Sequence, residues 1–371
     1  MTFKRLVLIG LILAGLAAIT GLYIVPERRE AVEPITEKWE LSTHSNANSL
    51  SFTFWDDEEP PLIPEVCAKC HSTFGYWDFL GEDGSTPREV DQPAQTGTTI
   101  YCGACHNTSA HQMTQVEFPS GAEITGLEGE AVCMQCHQGR KAGADVEEAT
   151  ANLEDDTVSE DLSFINVHYA IAAATWLGSE AQAGYQYPNR TYVTRFEHVP
   201  DMQSCVDCHD PHSQSVDPQA CSPCHVKVEG WSDLAKIRSG DRDFDGDGDN
   251  QEGLAGEIET LEAELYAAMQ AYASEVAGTP MAYVLDGPPY YINDTNGNGQ
   301  ADEDEINFGN KYSAWTPRLL RAAYNYHFSF QDPGDYAHNG RYVLQLLYDS
   351  LENMGQQVSV DMEALYRPTT R

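Results

Sequence analysis

All ten Cys of this 371-residue chain fall into five copies of one pentapeptide, and that repeat constrains the fold more than any other feature. The copies are Cys67-Ala-Lys-Cys70-His71, Cys102-Gly-Ala-Cys105-His106, Cys133-Met-Gln-Cys136-His137, Cys205-Val-Asp-Cys208-His209 and Cys221-Ser-Pro-Cys224-His225. A disulfide framework gives no reason for a His after every second Cys. Zinc sites use Cys-x-x-Cys pairs but do not fix a His at that offset five times over. A redox Cys-x-x-Cys occurs once, inside a thioredoxin-like βαβ pattern that is absent here. Covalent haem does require the pattern: two thiols add to the vinyl groups of one porphyrin, and the adjacent His reaches the iron as proximal ligand. The expectation is five haem c groups, with thioether bonds at all ten Cys and His71, His106, His137, His209 and His225 as proximal ligands.

Covalent haem attachment takes place outside the cytoplasm, so the folded part is expected to be extracytoplasmic. The N-terminus agrees. Lys4 and Arg5 precede an uncharged apolar run over residues 6–25, 20 residues that suffice to span a bilayer. A cleavable signal peptide usually has a shorter apolar core and a small-x-small site, for which Ala18-Ile19-Thr20 is a weak match. The reading is a single N-terminal transmembrane anchor in the cytoplasmic membrane with the haem domain on the periplasmic or extracellular side, or a secreted protein if the segment is cleaved. The balance of 58 acidic against 21 basic side chains, a net charge of −37, excludes a nucleic-acid partner. Hydrophobic residues at 41% are too many for a disordered acidic chain.

An iron with two protein ligands is a low-spin electron carrier, whereas an iron with one can bind substrate. The seven His outside the motifs therefore decide the function class. His212, three residues after His209, cannot easily reach its own haem but can reach a neighbour, and His111 can act similarly from its place after His106. His168 and His198 lie in the 67-residue gap between the third and fourth motifs, where delivery of ligands gives the gap a purpose. His338 opens a late helix. His111, His168, His198, His212 and His338 match the five irons one for one as distal ligands. His44 reads as a linker residue. His327 is either a core residue or the ligand in place of His111, and Met ligation by Met113 or Met202 is the weaker alternative.

Along the chain, residues 1–25 form the anchor or signal, 26–62 an acidic tether, 63–230 the pentahaem domain and 231–371 a helical region. Apolar residues at three- and four-residue steps predict helices over 254–276, 317–330 and 338–354. A further helix is predicted over 164–176 and a hairpin or extended loop over 185–196. Two segments fit the twelve-residue calcium loop. In 241–252, Asp241, Asp243, Asp245, Asp249 and Glu252 take positions 1, 3, 5, 9 and 12, with Gly246 at 6 and a carbonyl from Asp247 at 7. In 294–305, Asp294, Asn296, Asn298, Asp302 and Glu305 take the same positions, with Gly299 at 6 and Gln300 at 7. Such acid density repels itself unless a divalent cation sits inside, so two Ca²⁺ acting as structural staples are expected.

The five haem motifs, Cys208-His209-Asp210-Pro211-His212 and Asp332-Pro333-Gly334-Asp335-Tyr336-Ala337-His338-Asn339 make the chain resemble the multihaem cytochromes c. It looks most like the group that contains pentahaem nitrite reductases, hydroxylamine oxidoreductase and related electron carriers. In that group a late His-Asn element before a helix supplies a distal ligand, which implies that role for His338. The pentahaem nitrite reductases generally carry a Lys-ligated catalytic haem, whereas every motif here ends in His. The fold implied is mainly α with much irregular loop, a haem-packed multihaem cytochrome c domain plus C-terminal helices. The favoured function is electron transfer along bis-His haems between redox partner proteins, with a membrane quinol-linked donor among the candidates. The alternative is a reductase or oxidoreductase of a small nitrogen or sulfur compound at one five-coordinate haem. A third reading is a homo-oligomer or filament in which His44 ligates a haem of the next copy.

Overall fold

The protein is described by a computed structural model covering residues 32–238, 240–285 and 287–370. The apolar run over 6–25 lies outside the described residues. Among the described residues no helix is long and apolar enough to cross a membrane. The chain divides into two compact units, one built from residues up to Gln112 together with Cys205–Val216, the other from Met113–Ser204 and Asp217–Arg371. The first unit carries the first, second and fourth haem motifs and the second unit carries the third and fifth.

The first unit is made of short helices on irregular chain. Residues 32–40 are helical, and Trp39 donates its indole N–H to the Ile100 carbonyl at 3.0 Å. Glu65–His71 and Thr73–Leu80 follow each other across Ser72, whose hydroxyl caps the second helix by accepting from Phe74 and Gly75. That helix ends at Gly81, whose φ of 74° is the left-handed value a glycine adopts without strain. Thr73 and Trp77 on it hold the approach to the second motif, through Thr73 Oγ1 to the Thr99 carbonyl and Trp77 Nε1 to the Gly103 carbonyl. A single two-residue strand pair, Leu62–Ile63 with Ala94–Gln95, closes the loop between them.

The second unit has the larger apolar core, and its helices follow the expected periodicity. Leu254–Glu275 buries Ile258, Leu261, Leu265, Met269 and Tyr272 at three- and four-residue steps. Pro317–Phe330 begins where predicted because Pro317 fits the first helical turn and Thr316 accepts from the Leu319 N–H. Asp335–Met354 starts three residues before the expected 338 and is broken at Asn339, with φ −167° and ψ 66°. The Asn339 amide leaves the helix to donate to the Trp176 and Thr194 carbonyls. Arg318, buried, donates to Asp156 at 2.6 Å and to the Asn353 carbonyl at 2.7 Å, fastening the 155–156 turn onto the helices.

One expectation is corrected here. The helix predicted over 164–176 exists only as Ala172–Leu177. His168 and Ala170 take φ of 83° and 53°, which no right-handed helix accommodates. The segment 185–196 is irregular chain without a strand.

Candidate functional site

The ten Cys all lie in the described residues, none in a disulfide and none fully buried. Free Cys is normally among the most buried residue types. Large apolar residues beside the motifs are exposed as well: Val66 at 74%, Val226 at 84%, and Tyr101 and Val206 to a lesser degree. Half-buried to exposed thiols beside exposed apolar side chains fit a site for a covalently attached porphyrin.

Three of the five motif imidazoles have Nδ1 held by a backbone carbonyl. An imidazole binds metal through one nitrogen while the other N–H is held by a carbonyl or carboxylate, which fixes tautomer and ring orientation. His71 Nδ1 lies 2.7 Å from the Ser51 carbonyl. His137 Nδ1 lies 2.9 Å from the Ala170 carbonyl, and His209 Nδ1 lies 3.0 Å from the Gln214 carbonyl. The left-handed residues at 168 and 170 thus sit in the turn that orients His137, which is where backbone strain is most often found.

The predicted distal residues fall into distinct surroundings. The His106 ring centre lies 6.2 Å from that of His212, with planes 11° apart, and 6.1 Å from that of His111, with planes 59° apart. His198 faces His225 at 6.0 Å and 15°. Partial desolvation first, and the facing His225 second, lower the proton affinity of His198. His168 donates its backbone N–H to the Asn166 side chain beside the His137 clamp. His338 sets Nδ1 against both oxygens of buried Asp332. His327, itself fully buried, has no nitrogen to spare: Nδ1 meets Tyr283 Oη and Nε2 meets Asn166 Oδ1, each at 2.8 Å. Burial, then the neighbouring His168, push it down to about 3. Of the two roles open to it, this is the core one.

The acidic loops fold on one plan but in different registers. In the second loop, Asp294 accepts from the N–H groups of Gly297 and Gly299, and Glu305 accepts from those of Thr295 and Asn296. In the first loop the same offsets are met by Asp243, which accepts from Gly246 and Gly248, and by Glu257, which accepts from Phe244 and Asp245. Asp243 thus stands in the first loop where Asp294 stands in the second. The matching carboxylate is buried Glu257, on the first turn of helix Leu254–Glu275, whose other oxygen accepts from the Arg238 guanidinium at 2.6 Å. Carboxylate oxygens of Asp243, Asp245 and Asp247 lie within 4.8 Å of one another, as do those of Asp245, Glu252 and Glu257. One oxygen each of Asp245, Glu252 and Glu305 is buried with no hydrogen-bond partner. Burial and then like charge push Asp245 up to about 6 and Glu252 up to about 7. Orphaned, mutually repelling carboxylate oxygens fit a hard divalent cation.

Comparison with known proteins adds what the chain resembles. The chain is 26% identical over 355 residues to the C-type polyheme cytochrome OmcB of Geobacter sulfurreducens, covering 77% of this chain and 43% of that protein. It is 24% identical over 381 residues to the C-type polyheme cytochrome OmcC of the same organism, covering 84% of this chain and 45% of that protein. This chain is similar to polyhaem c-type cytochromes. It spans less than half the length of these relatives. No protein-family model and no solved structure matches it. The likeness supports haem c as cofactor and electron carriage as the function class.

Proposed function

We propose that this chain is an extracytoplasmic pentahaem cytochrome whose irons are bis-His ligated and which relays electrons between redox partner proteins. The observation that carries it is the facing of a motif His by a second His at about 6 Å, for His106 and for His225. An imidazole on each side of one metal, with bonds of about 2 Å, places two ring centres at about that separation. When bound, haem c supplies one-electron exchange at iron, and two imidazoles keep that iron closed to substrate. The residues that would hold the groups are the five Cys pairs, the five proximal His, and His111, His168, His198, His212 and His338 as the distal pool. The His338-Asn339 element is the part that argues for kinship with the nitrite reductase and hydroxylamine oxidoreductase group.

The acidic loops bind two Ca²⁺ in this reading, with Asp243, Asp245, Asp247, Glu252 and Glu257 at the first and Asp294, Asn296, Asn298, Gln300, Asp302 and Glu305 at the second. Residues 6–25 tether the chain to the cytoplasmic membrane, with the haem-bearing part outside. A net charge of −37 favours basic partners and disfavours small anions such as nitrite. The test is a magnetic survey of the ferric protein with nitrite, hydroxylamine and cyanide titrations. Low-spin signals from all five haems and no ligand binding are expected. One high-spin haem that binds these molecules overturns the relay in favour of a reductase.

A further inference from the structure

Resting on the cytochrome reading above, we propose a specific pairing of axial ligands. His212 shares one iron with His106, and His198 shares another with His225. The first pair joins the second motif to the turn after the fourth. The second joins the fifth motif to the long gap.

Two rings are near enough to His106 to compete, and chain geometry separates them. His111 ends the helical turn Thr108–His111, which Asn107 caps by accepting from the Ala110 N–H at 2.7 Å. A helical turn advances only about 1.5 Å per residue. The five steps from His106 to His111 therefore supply too little chain to pass round the rim of a porphyrin and reach its far face. His212 comes from a separate segment and faces no such limit.

The turn that presents His212 is built for it. Asp210 Oδ1 accepts from the N–H groups of His212 and Ser213 at 3.0 and 2.9 Å, and Lys38 holds the other carboxylate oxygen. The Asp210 carbonyl takes the Gln214 N–H, and the Gln214 carbonyl faces His209 Nδ1. His209 is thus turned one way and His212 is free to turn another, so one turn carries ligands for two irons. His198 is positioned by its neighbour: Phe196 and Trp176 exchange hydrogen bonds of 2.9 and 2.8 Å, which pin the strand of chain leading to it on helix Ala172–Leu177. Neither pair belongs to an apolar core, since His106 and His198 are exposed, so packing does not explain why the rings face each other.

The test uses the full haem-loaded chain, its haem content by the pyridine assay and its ferric spin states by electron paramagnetic resonance. His212→Ala is expected to keep the wild-type haem content and convert about one-fifth of the low-spin intensity to high-spin. In a Cys102→Ser/Cys105→Ser background, which lacks that haem, His212→Ala adds no high-spin signal. His198→Ala behaves the same way, and its effect disappears in Cys221→Ser/Cys224→Ser. Where the Ala variant does not load, His212→Met keeps a ligand and shows a long-wavelength sulfur-to-iron band that is absent in the Cys102→Ser/Cys105→Ser background. The small angles between planes add an expectation for the wild type: rhombic low-spin signals for these two haems rather than the strongly anisotropic signals of perpendicular rings. Unchanged low-spin intensity in His212→Ala, or a high-spin haem that persists without Cys102 and Cys105, overturns the pairing. A wild-type chain that binds no haem overturns the cytochrome reading instead.

Discussion

The His338 imidazole turns Nδ1 onto the Asp332 carboxylate, 2.9 and 2.8 Å from its two oxygens. Burial opposes charge on this ring, yet the carboxylate outweighs it and raises the proton affinity of His338. The same electron donation strengthens Nε2 as a metal ligand. Asp332→Asn is therefore expected to raise the reduction potential of one haem by tens of millivolts, since the ferric state loses donor support. Spectroelectrochemical titration checks it. A full set of unshifted potentials would mean that Asp332 only positions the helix start.

His327 gives the opposite expectation. Both its nitrogens are spent on Tyr283 and Asn166 inside the core. His327→Leu should leave every haem low-spin while costing about 1–3 kcal/mol of stability, because two half-buried polar partners each lose a hydrogen bond. Thermal unfolding and spin-state measurement on the same sample separate the two effects. Appearance of a high-spin haem would contradict the core assignment.

The parts legible in the sequence were those fixed by local chemistry. Apolar spacing dictates the helices Leu254–Glu275 and Pro317–Phe330. Ligand pairing was not legible, because His106 and His212 meet through tertiary structure and nothing in either segment encodes the other. The hydrogen-bonding frame of the first acidic loop was not legible for a different reason. Asp recurs at every second position from 241 to 249, so several frames satisfy one template, and only the hydrogen bonds from Gly248 and to Glu257 choose among them. A signal for Glu257 did exist: a carboxylate at an otherwise buried position of an amphipathic helix calls for a partner. The shortened helix at 172–177 reflects backbone demands at His168 and Ala170 that composition does not reveal.

That framing can be tested on calcium itself. Calorimetric titration of the chelator-treated protein should show two sites. Glu257→Gln should weaken one of them at least about tenfold, while Asp241→Asn should leave both in place. Saturation at a hundredfold excess over Kd stabilises the fold by about 2.7 kcal/mol per site, so chelation should lower Tm. Equal losses from Glu257→Gln and Asp241→Asn would restore the frame that starts at Asp241.

Glu262 supplies a pH dependence away from any metal ligand. Burial pushes its carboxyl up to about 7, against a hydrogen bond from Ser329, with Glu259 adding a smaller repulsion. A carboxyl with a folded value above its unfolded one favours the fold while protonated. Its contribution is therefore complete below about pH 4.5 and is lost as pH rises through about 7. Glu262→Gln keeps the shape and removes the charge. In saturating calcium, where the acidic loops are held ionised at both pH values, the variant and the wild type should melt together near pH 5. Near pH 8 the variant should melt a few degrees higher. A difference in Tm that is the same at both pH values would show that Glu262 does not titrate in this range, and that its carboxylate is compensated within the helix pair Leu254–Glu275 and Pro317–Phe330.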